Sequence, residues 1–389
     1  MNALRLLADW QPKAGYQPTA RELETHRASS GSQVWRNPRL DYACVPEPEL
    51  GPDDVLLEVA AVGICGSDMH MYEADDEGYI LYPGLTRLPN ILGHEFSARV
   101  LEVGRNVKSL ESGALVVVEE VNWCGVCDPC RRGLVNHCAN IEEIGFTTPG
   151  AFAARIAVNA KYCWRLEEIA ERLGDAHEAM VLGALVEPSG VSYHAMFNRL
   201  PTWKPGVRAA VFGLGPIGLT AVALANVAGA SQVIALDVSE QRLETARALG
   251  ATHTLNPSDL DVNDALRALT RGHGVDFVVE AAGAPQRTLA PLTTGLAVGA
   301  TIAHIGRSER PTSLALEQYQ VRGVQLAGSL GHAGHGTFSS VIRLMAAGKL
   351  DLRAMVSARM PLSEGKAAFK RLESRQDAKI ILLPNAPTV

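Results

Sequence analysis

The chain has 389 residues, 47% of them hydrophobic and 20% charged, which suits two folded domains and excludes a disordered or fibrous protein. Its 36 Lys and Arg are outnumbered by 42 Asp and Glu, so no bulk basic excess marks it as a nucleic-acid binder. The 36 Gly and 7 Cys set the chemical questions, because Gly-rich loops and clustered thiols are where chemistry concentrates.

The N-terminal run MNALRLLADW is too short for a signal peptide and has no small-residue cleavage site. A cytoplasmic, reducing location is therefore expected, with thiols serving as metal ligands or staying free rather than forming disulfides. Residues 3–7 and 54–62 read as strands. The polar stretch between them, 8–33, with its QPKAGYQP and RASSGSQ runs, reads as an insertion. From there to about residue 165, apolar runs such as ARVLEVG, ALVVVEEV and AFAARIAV alternate with Gly and Pro turns, the texture of a mostly β domain.

Two sets of metal-type residues fall in this part. Cys65 in GICGSDMH, His94 and Glu95 in GHE, and Glu187 in LVEPSG are scattered. Singly, such a Cys reads as a small buried hydrophobe and such a Glu as a solvated charge. Together they supply one thiolate, one imidazole and carboxylates, the ligand types of a catalytic zinc that keeps one position open. Cys124, Cys127, Cys130 and Cys138 form C-x2-C-x2-C-x7-C on a Gly- and Pro-containing loop, a spacing that closes a tetrahedral structural zinc site. An iron–sulfur cluster is the alternative, but ferredoxin runs place the fourth Cys after three residues and before Pro, whereas here Ala139 follows a longer gap. Cys44 and Cys163 are read as structural.

Residues 209–236 carry no charge and imitate a membrane span in length, yet their glycines and Pro216 divide them into strand, turn, helix and strand, so no span is expected. Beyond residue 205, RAAVFG, QVIALD, THTL, VDFVVE, GATIAHI and GVQLAG read as strands separated by helices, which predicts a doubly wound parallel sheet. Gly213-Leu214-Gly215-Pro216-Ile217-Gly218 follows the first of these strands and opens a helix, the context a dinucleotide fingerprint requires. Gly213 serves the tight turn, Gly215 the approach of a pyrophosphate, and Gly218 the packing of helix on strand. Asp237, at the end of the next strand, is placed to accept from ribose hydroxyls and to repel a 2'-phosphate, so NAD is expected over NADP. Arg242 can stack on adenine or soften that choice. A glycine turn without ligand is the plainer alternative. FSSVIRLMAAG reads as a last helix, and KIILLP as a strand returning to the first domain.

Gly63-Ile64-Cys65-Gly66-Ser67-Asp68-Met69-His70, Gly93-His94-Glu95, the four-cysteine lobe, Glu187-Pro188 and the glycine fingerprint stand in the order typical of the zinc-dependent medium-chain dehydrogenases, which the chain resembles over nearly its whole length. That resemblance implies a GroES-like, mostly β catalytic domain over 1–189 and 333–389, and a Rossmann NAD-binding domain over 190–332. It implies two zinc ions per chain: a catalytic ion with Cys65, His94, Glu95 and Glu187 as ligands or near-ligands, and a structural ion in the cysteine lobe. Ser67 and His70 would carry the substrate proton to solvent, while Pro216 and Ile217 join the glycines in cofactor binding. Ala98 departs from the Gly usual in the family.

Glu187 in place of a third-ligand Cys is similar to the polyol and threonine dehydrogenases. EGYILYPGLTRLP, the WCGVC lobe, GHAGHGTF and the long segment after the first strand resemble an inositol-pathway branch. The implied reaction is oxidation of a secondary alcohol of a cyclitol or polyol, scyllo-inosose or a related inositol, to a ketone. The alternatives are an L-threonine 3-dehydrogenase or sorbitol-type activity, or a cofactor-binding protein without catalysis. A homo-oligomer, dimer or tetramer, is expected, with no nucleic-acid or membrane partner. Tyr72, Glu73 and residues 74–77 are candidate donors and acceptors for a polyhydroxylated ring, with a solvated acidic loop the equal alternative for 75–77; His332 and His335 are candidates for substrate or nicotinamide, with a plain loop role the alternative.

Overall fold

The computed structural model describes residues 1–308 and 311–385. The chain divides into two compact units: Met1–Glu187 with Ala358–Arg375 and the stretch from Lys379 onward, and Pro188–Ser357 with Gln376–Ala378.

The first unit is built on a seven-stranded, largely antiparallel sheet. Its order runs Cys163–Arg165, Leu115–Val118, Glu95–Val103, Asp54–Gly63, Lys379–Leu383, Val356–Pro361, and Arg155–Asn159 also pairs with Asp54–Gly63. Burial alternates along Asp54–Gly63, with Val55, Leu57, Val59 and Ala61 turned inward, as one covered face of a pleated sheet demands. A second sheet pairs Asn2–Trp10 with Trp35–Cys44 and Asn90–Ile91. Phe96, Phe152 and Phe369 fill the core of this unit. The apparent insertion at 8–33 is ordered. It contains the helix Ala20–Thr25, opened by a capping box between Thr19 and Glu22, and a short strand Arg27–Ala28 paired with Thr86–Arg87.

The second unit holds a six-stranded parallel sheet in the order His253–Leu255, Gln232–Leu236, Arg208–Phe212, Val275–Glu280, Leu296–His304, Gln325–Gly328. These are the strands read from the sequence, in doubly wound arrangement. Arg208–Phe212 and Gln232–Leu236 are buried without alternation because both sheet faces are covered. The uncharged stretch 209–236 resolves into these two strands and the helix Pro216–Val227. Among the described residues, no helix is long and apolar enough to cross a membrane.

The second unit runs past the return expected at residue 333. Helix Thr337–Ala346 belongs to it, tied by a hydrogen bond from Asn198 Nδ2 to Thr337 Oγ1 at 2.9 Å, with Phe338 fully buried. Re-entry into the first unit comes at Ala358. The amphipathic helix could have packed on either unit. Nothing in its sequence names its partner.

Candidate active site

Cys65 ends the turn after Asp54–Gly63 and caps the helix Gly66–Tyr72, while Glu95 opens the neighbouring strand directly opposite Gly63. This pairing brings together residues far apart in sequence. Ligand atoms of Cys65, His94 and Glu95 lie within 4.8 Å of one another, with His94 and Glu95 buried. Ser67 Oγ, on the first turn of the helix, is 3.5 Å from His94 Nε2. His70 stands one turn beyond Ser67 on that helix, and its carbonyl accepts from Leu81 N at 2.8 Å. Glu187, in the first turn of helix Val186–Tyr193, is buried, and its charge acts on both His94 and Lys379.

Two residues that the sequence did not single out complete this cluster. Asp68 is fully buried and accepts from Cys65 N at 2.9 Å and from Gly93 N at 3.3 Å, with His94 Nδ1 3.7 Å away. It therefore fixes the turns bearing Cys65 and His94 and places a carboxylate behind the imidazole, beyond hydrogen-bond distance. Its signal was present: Asp68 stands three residues after Cys65, the spacing of a capping box. Lys379 is also fully buried, and its ammonium is bonded to Glu95 Oε2 and donates to the Ile64 carbonyl at 3.0 Å. Gly63 is required beside this pair, since a Cβ there would meet Glu95 Oε2 and would lie 3.2 Å from Lys379 Cδ. No sequence signal marks a Lys at the head of the apolar run KIILL.

The electrostatics follow from crowding charge in a dry site. Burial, then the Glu95 charge, pushes the Cys65 thiol up, and burial pushes Asp68 up. Burial works against the His94 imidazolium, yet Asp68, Cys65 and Glu187 raise it well above the ordinary value. Burial likewise opposes the Lys379 ammonium, which Glu95, Cys65 and Glu187 hold above its ordinary range. Acidic and thiol groups outnumber the one ammonium, and the buried Glu95 Oε1 has no hydrogen-bond partner. A divalent cation suits this donor set in charge and in ligand type.

The cysteine lobe is a separate cluster. Sγ atoms of Cys124, Cys127, Cys130 and Cys138 lie within 4.8 Å of one another, and the 3.6 Å separating Cys124 from Cys138 is far beyond a disulfide. Backbone N–H groups point at the sulfurs: Cys124 N and Asn140 N donate to Cys138 Sγ at 3.4 and 3.3 Å. Val126 and Cys127 N–H groups hold the Cys124 thiol down to about 6, as a thiolate ligand needs.

In the second unit, Gly213 has φ +83°, and a Cβ there would stand 2.5 Å from Ala282 Cα. A Cβ on Gly218 would collide with the Gly213 carbonyl, whereas the space beside Gly215 is open, as close approach of a pyrophosphate requires. Pro216 and Ile217 open the twelve-residue helix Pro216–Val227, whose free N–H groups favour a phosphate. Asp237 accepts from Leu214 N at 2.7 Å and Ser239 N at 2.9 Å, so it braces the glycine loop and keeps lone pairs for a ribose. Arg242 lies 3.9 Å from Asp237.

The remaining candidates have partners of their own. Glu73 pairs with Arg375 at 2.5 Å, Asp75 pairs with Lys13 at 2.8 Å, and Tyr72 packs edge-on against Phe369. These contacts tie the side chains into the first unit. His332 is fully buried and packs against Phe338, 4.7 Å between centroids.

Residues 51–168 match the Alcohol dehydrogenase GroES-like domain family, and residues 216–347 match the Zinc-binding dehydrogenase family. The chain is 41% identical over 385 residues to scyllo-inosose 3-dehydrogenase of Thermotoga maritima, covering 96% of this chain and 97% of that one. The chain belongs to the zinc-dependent medium-chain dehydrogenases.

L-threonine 3-dehydrogenase of Bacillus subtilis is 35% identical over 344 residues, 87% of this chain and 94% of that enzyme. A Thermotoga maritima structure described as an alcohol dehydrogenase superimposes with TM-score 0.92 at 40% identity, covering 98% of this chain and 99% of that chain. This medium-chain dehydrogenase is thus an oxidoreductase of CH–OH groups that uses zinc and a nicotinamide dinucleotide. Its fold joins a GroES-like, mostly β part to a Rossmann-type parallel-sheet part.

Proposed function

We propose that this dehydrogenase oxidises a secondary alcohol of a ring polyol, a cyclitol such as scyllo-inosose or a related inositol, with NAD as hydride acceptor and two zinc ions per chain. The observation that carries the chemistry is the buried convergence of Cys65, His94 and Glu95 beside the Ser67 hydroxyl. Identity of 41% to a scyllo-inosose 3-dehydrogenase supports the ring substrate. Asp237 at the end of its strand supports NAD over NADP, and the four-thiol lobe supports the second, structural zinc.

Cys65 and His94 would hold the catalytic ion, with Glu95 and Glu187 as the neighbouring carboxylates. When bound, zinc supplies a Lewis acid that lowers the pKa of a hydroxyl, and NAD supplies the hydride acceptor. Ser67 Oγ accepts the substrate hydroxyl proton, and His70, one turn along the same helix, delivers it toward solvent. Asp68 holds the Cys65 and Gly93 backbone turns in register. Lys379 occupies one oxygen of Glu95 and leaves Oε1 for the ion.

A homo-oligomer is part of this reading. Gln325–Gly328 is an edge strand, and Val298, Leu316, Val321 and Leu326 of the same unit are exposed, Val298 at 82%.

NADH formation at fixed NAD across myo-inositol, scyllo-inosose, sorbitol and L-threonine tests the substrate. Highest kcat/KM on a cyclitol is expected. A preference for L-threonine would assign the chain to the activity of its 35% identical relative instead.

A further inference from the structure

The polar segment between the first strand and Trp35 lies outside the region 51–168 matched by the GroES-like family and takes no part in the chemistry above. It is nonetheless closely tied. Between Tyr16 and Ser29 the chain closes around the carboxylate of Glu22, which is only 3% exposed. Glu22 accepts from Tyr16 OH at 2.8 Å, Thr19 N at 2.8 Å, Thr19 Oγ1 at 2.9 Å and Ser29 N at 2.7 Å. His26 ends the small helix in the left-handed region and stacks on Trp10, which packs edge-on against Trp35.

This closed loop lies along residues 75–87. Lys13 Nζ meets Asp75 at 2.8 Å and stands 4.7 Å from the Tyr79 ring centroid. Backbone bonds run from Gly31 N to Gly84 O at 2.9 Å, Ser32 N to Tyr82 O at 2.8 Å, Ile80 N to Trp35 O at 3.1 Å and Asn37 N to Gly78 O at 2.8 Å. The contact admits no side chain at Gly31, where a Cβ would lie 2.5 Å from Thr86 Oγ1 and 2.9 Å from the Tyr82 carbonyl.

What is held in this way matters to the active site. The segment 73–91 leaves the helix bearing Ser67 and His70 and leads into the turn bearing His94. Leu81 N donates to His70 O at 2.8 Å. The Tyr82 ring packs on Phe146 at 5.2 Å, and Phe146 packs on His94 at 4.7 Å. One face of the segment therefore touches the relay helix and, through Phe146, the ring that backs the metal site. The other face is bound by the strap.

We infer that residues 11–36 are a positioning strap that sets segment 73–91 for a ring polyol. The inference rests on the ring-polyol reading of the same site. Presenting one carbon of a ring with several hydroxyls requires a fixed orientation, and small displacements of positioning groups are costly in rate. An alcohol with a single hydroxyl needs only the reacting group placed. The strap acts through 73–91, so it governs which substrate is well placed rather than whether hydride transfer occurs.

The test compares myo-inositol with cyclohexanol in the full-length, zinc-loaded enzyme. Lys13→Met keeps the stem over Tyr79 and removes the ion pair, Asp75→Asn removes the same pair from the other side, and Lys13→Arg preserves it. Lys13→Met and Asp75→Asn should each lower kcat/KM for myo-inositol about tenfold and for cyclohexanol less than about twofold, with zinc content unchanged. Lys13→Arg should retain wild-type selectivity. Equal losses on the two alcohols, or no loss on either, would overturn the strap. Wild-type enzyme that turns over no cyclitol would overturn the ring-polyol reading itself, an outcome visible before any variant is made.

Discussion

At the scale of single residues, two sites of buried charge decide much of the behaviour of the first unit. Lys379 and Glu95 neutralise each other without solvent. Removing one partner of such a pair strands the other, at about 3 to 5 kcal/mol. Lys379→Met should therefore lower unfolding free energy by about 3 kcal/mol in urea titrations, and adding Glu95→Gln should restore most of it. A loss below about 1 kcal/mol would show that the ammonium is dispensable. Glu22 is the second case. Burial pushes its carboxyl up, but N–H groups of Ser29 and Thr19 and hydroxyls of Tyr16 and Thr19 hold it down at about 2, against an ordinary 4.5. A depressed folded-state pKa means that its stabilisation is complete above about pH 4.5 and disappears as the pH falls toward 2. Glu22→Gln should accordingly be less stable than wild type at pH 7, and the gap should close between about pH 4.5 and 2 in acid unfolding followed by circular dichroism.

At the scale of elements, the cysteine lobe and the glycine loop are local devices. Four thiols with the helix Asp128–Arg131 between them form no apolar core of their own, since Cys124 and Cys127 are only partly buried. On the two-zinc reading proposed above, such a lobe depends on its ion. Cys127→Ser should lower zinc from two to one per chain by metal analysis and expose the 122–143 stretch to proteolysis, with the glycine-loop unit unaffected. The glycine loop makes a different demand. At Gly218 a methyl group has no room against the Gly213 carbonyl, so Gly218→Ala should weaken NAD binding, measured by fluorescence titration, by about tenfold or more. Asp237 accepts the Leu214 N–H of the glycine loop, so Asp237→Ala is expected to loosen the loop as well as to reduce preference for NAD over NADP.

At the scale of the whole molecule, edge strand Gln325–Gly328 and its exposed apolar neighbours predict association. Sedimentation should show a dimer or larger species, with Leu326→Lys and Val298→Lys shifting it toward monomer. At this scale it also becomes clear how much could be read from residues alone. The four central parallel strands were legible because buried parallel strands are written as short continuous apolar runs, while the partly exposed edge strands His253–Leu255 and Gln325–Gly328 were legible from their place between helices. The cysteine lobe and the glycine fingerprint were legible because their partners lie within one turn or one loop, where spacing is geometry. Cys65, His94 and Glu95 were legible as ligand types, while their convergence depended on Gly63 pairing with Glu95 across the sheet.

What the sequence determined by itself was the local chemistry: which residues can ligate, which glycines must stay bare, and which runs become strands. Only the tertiary structure decided the rest. Lys379 reaches Glu95 from the far end of the chain, the helix Thr337–Ala346 stays with the second unit, and the strap 11–36 binds 75–87 through backbone groups and the Lys13–Asp75 pair. The physical reason is common to all three. A buried ion pair, a helix face and a backbone hydrogen bond each take their partner from whatever the sheet topology brings alongside, and topology is a property of the whole chain.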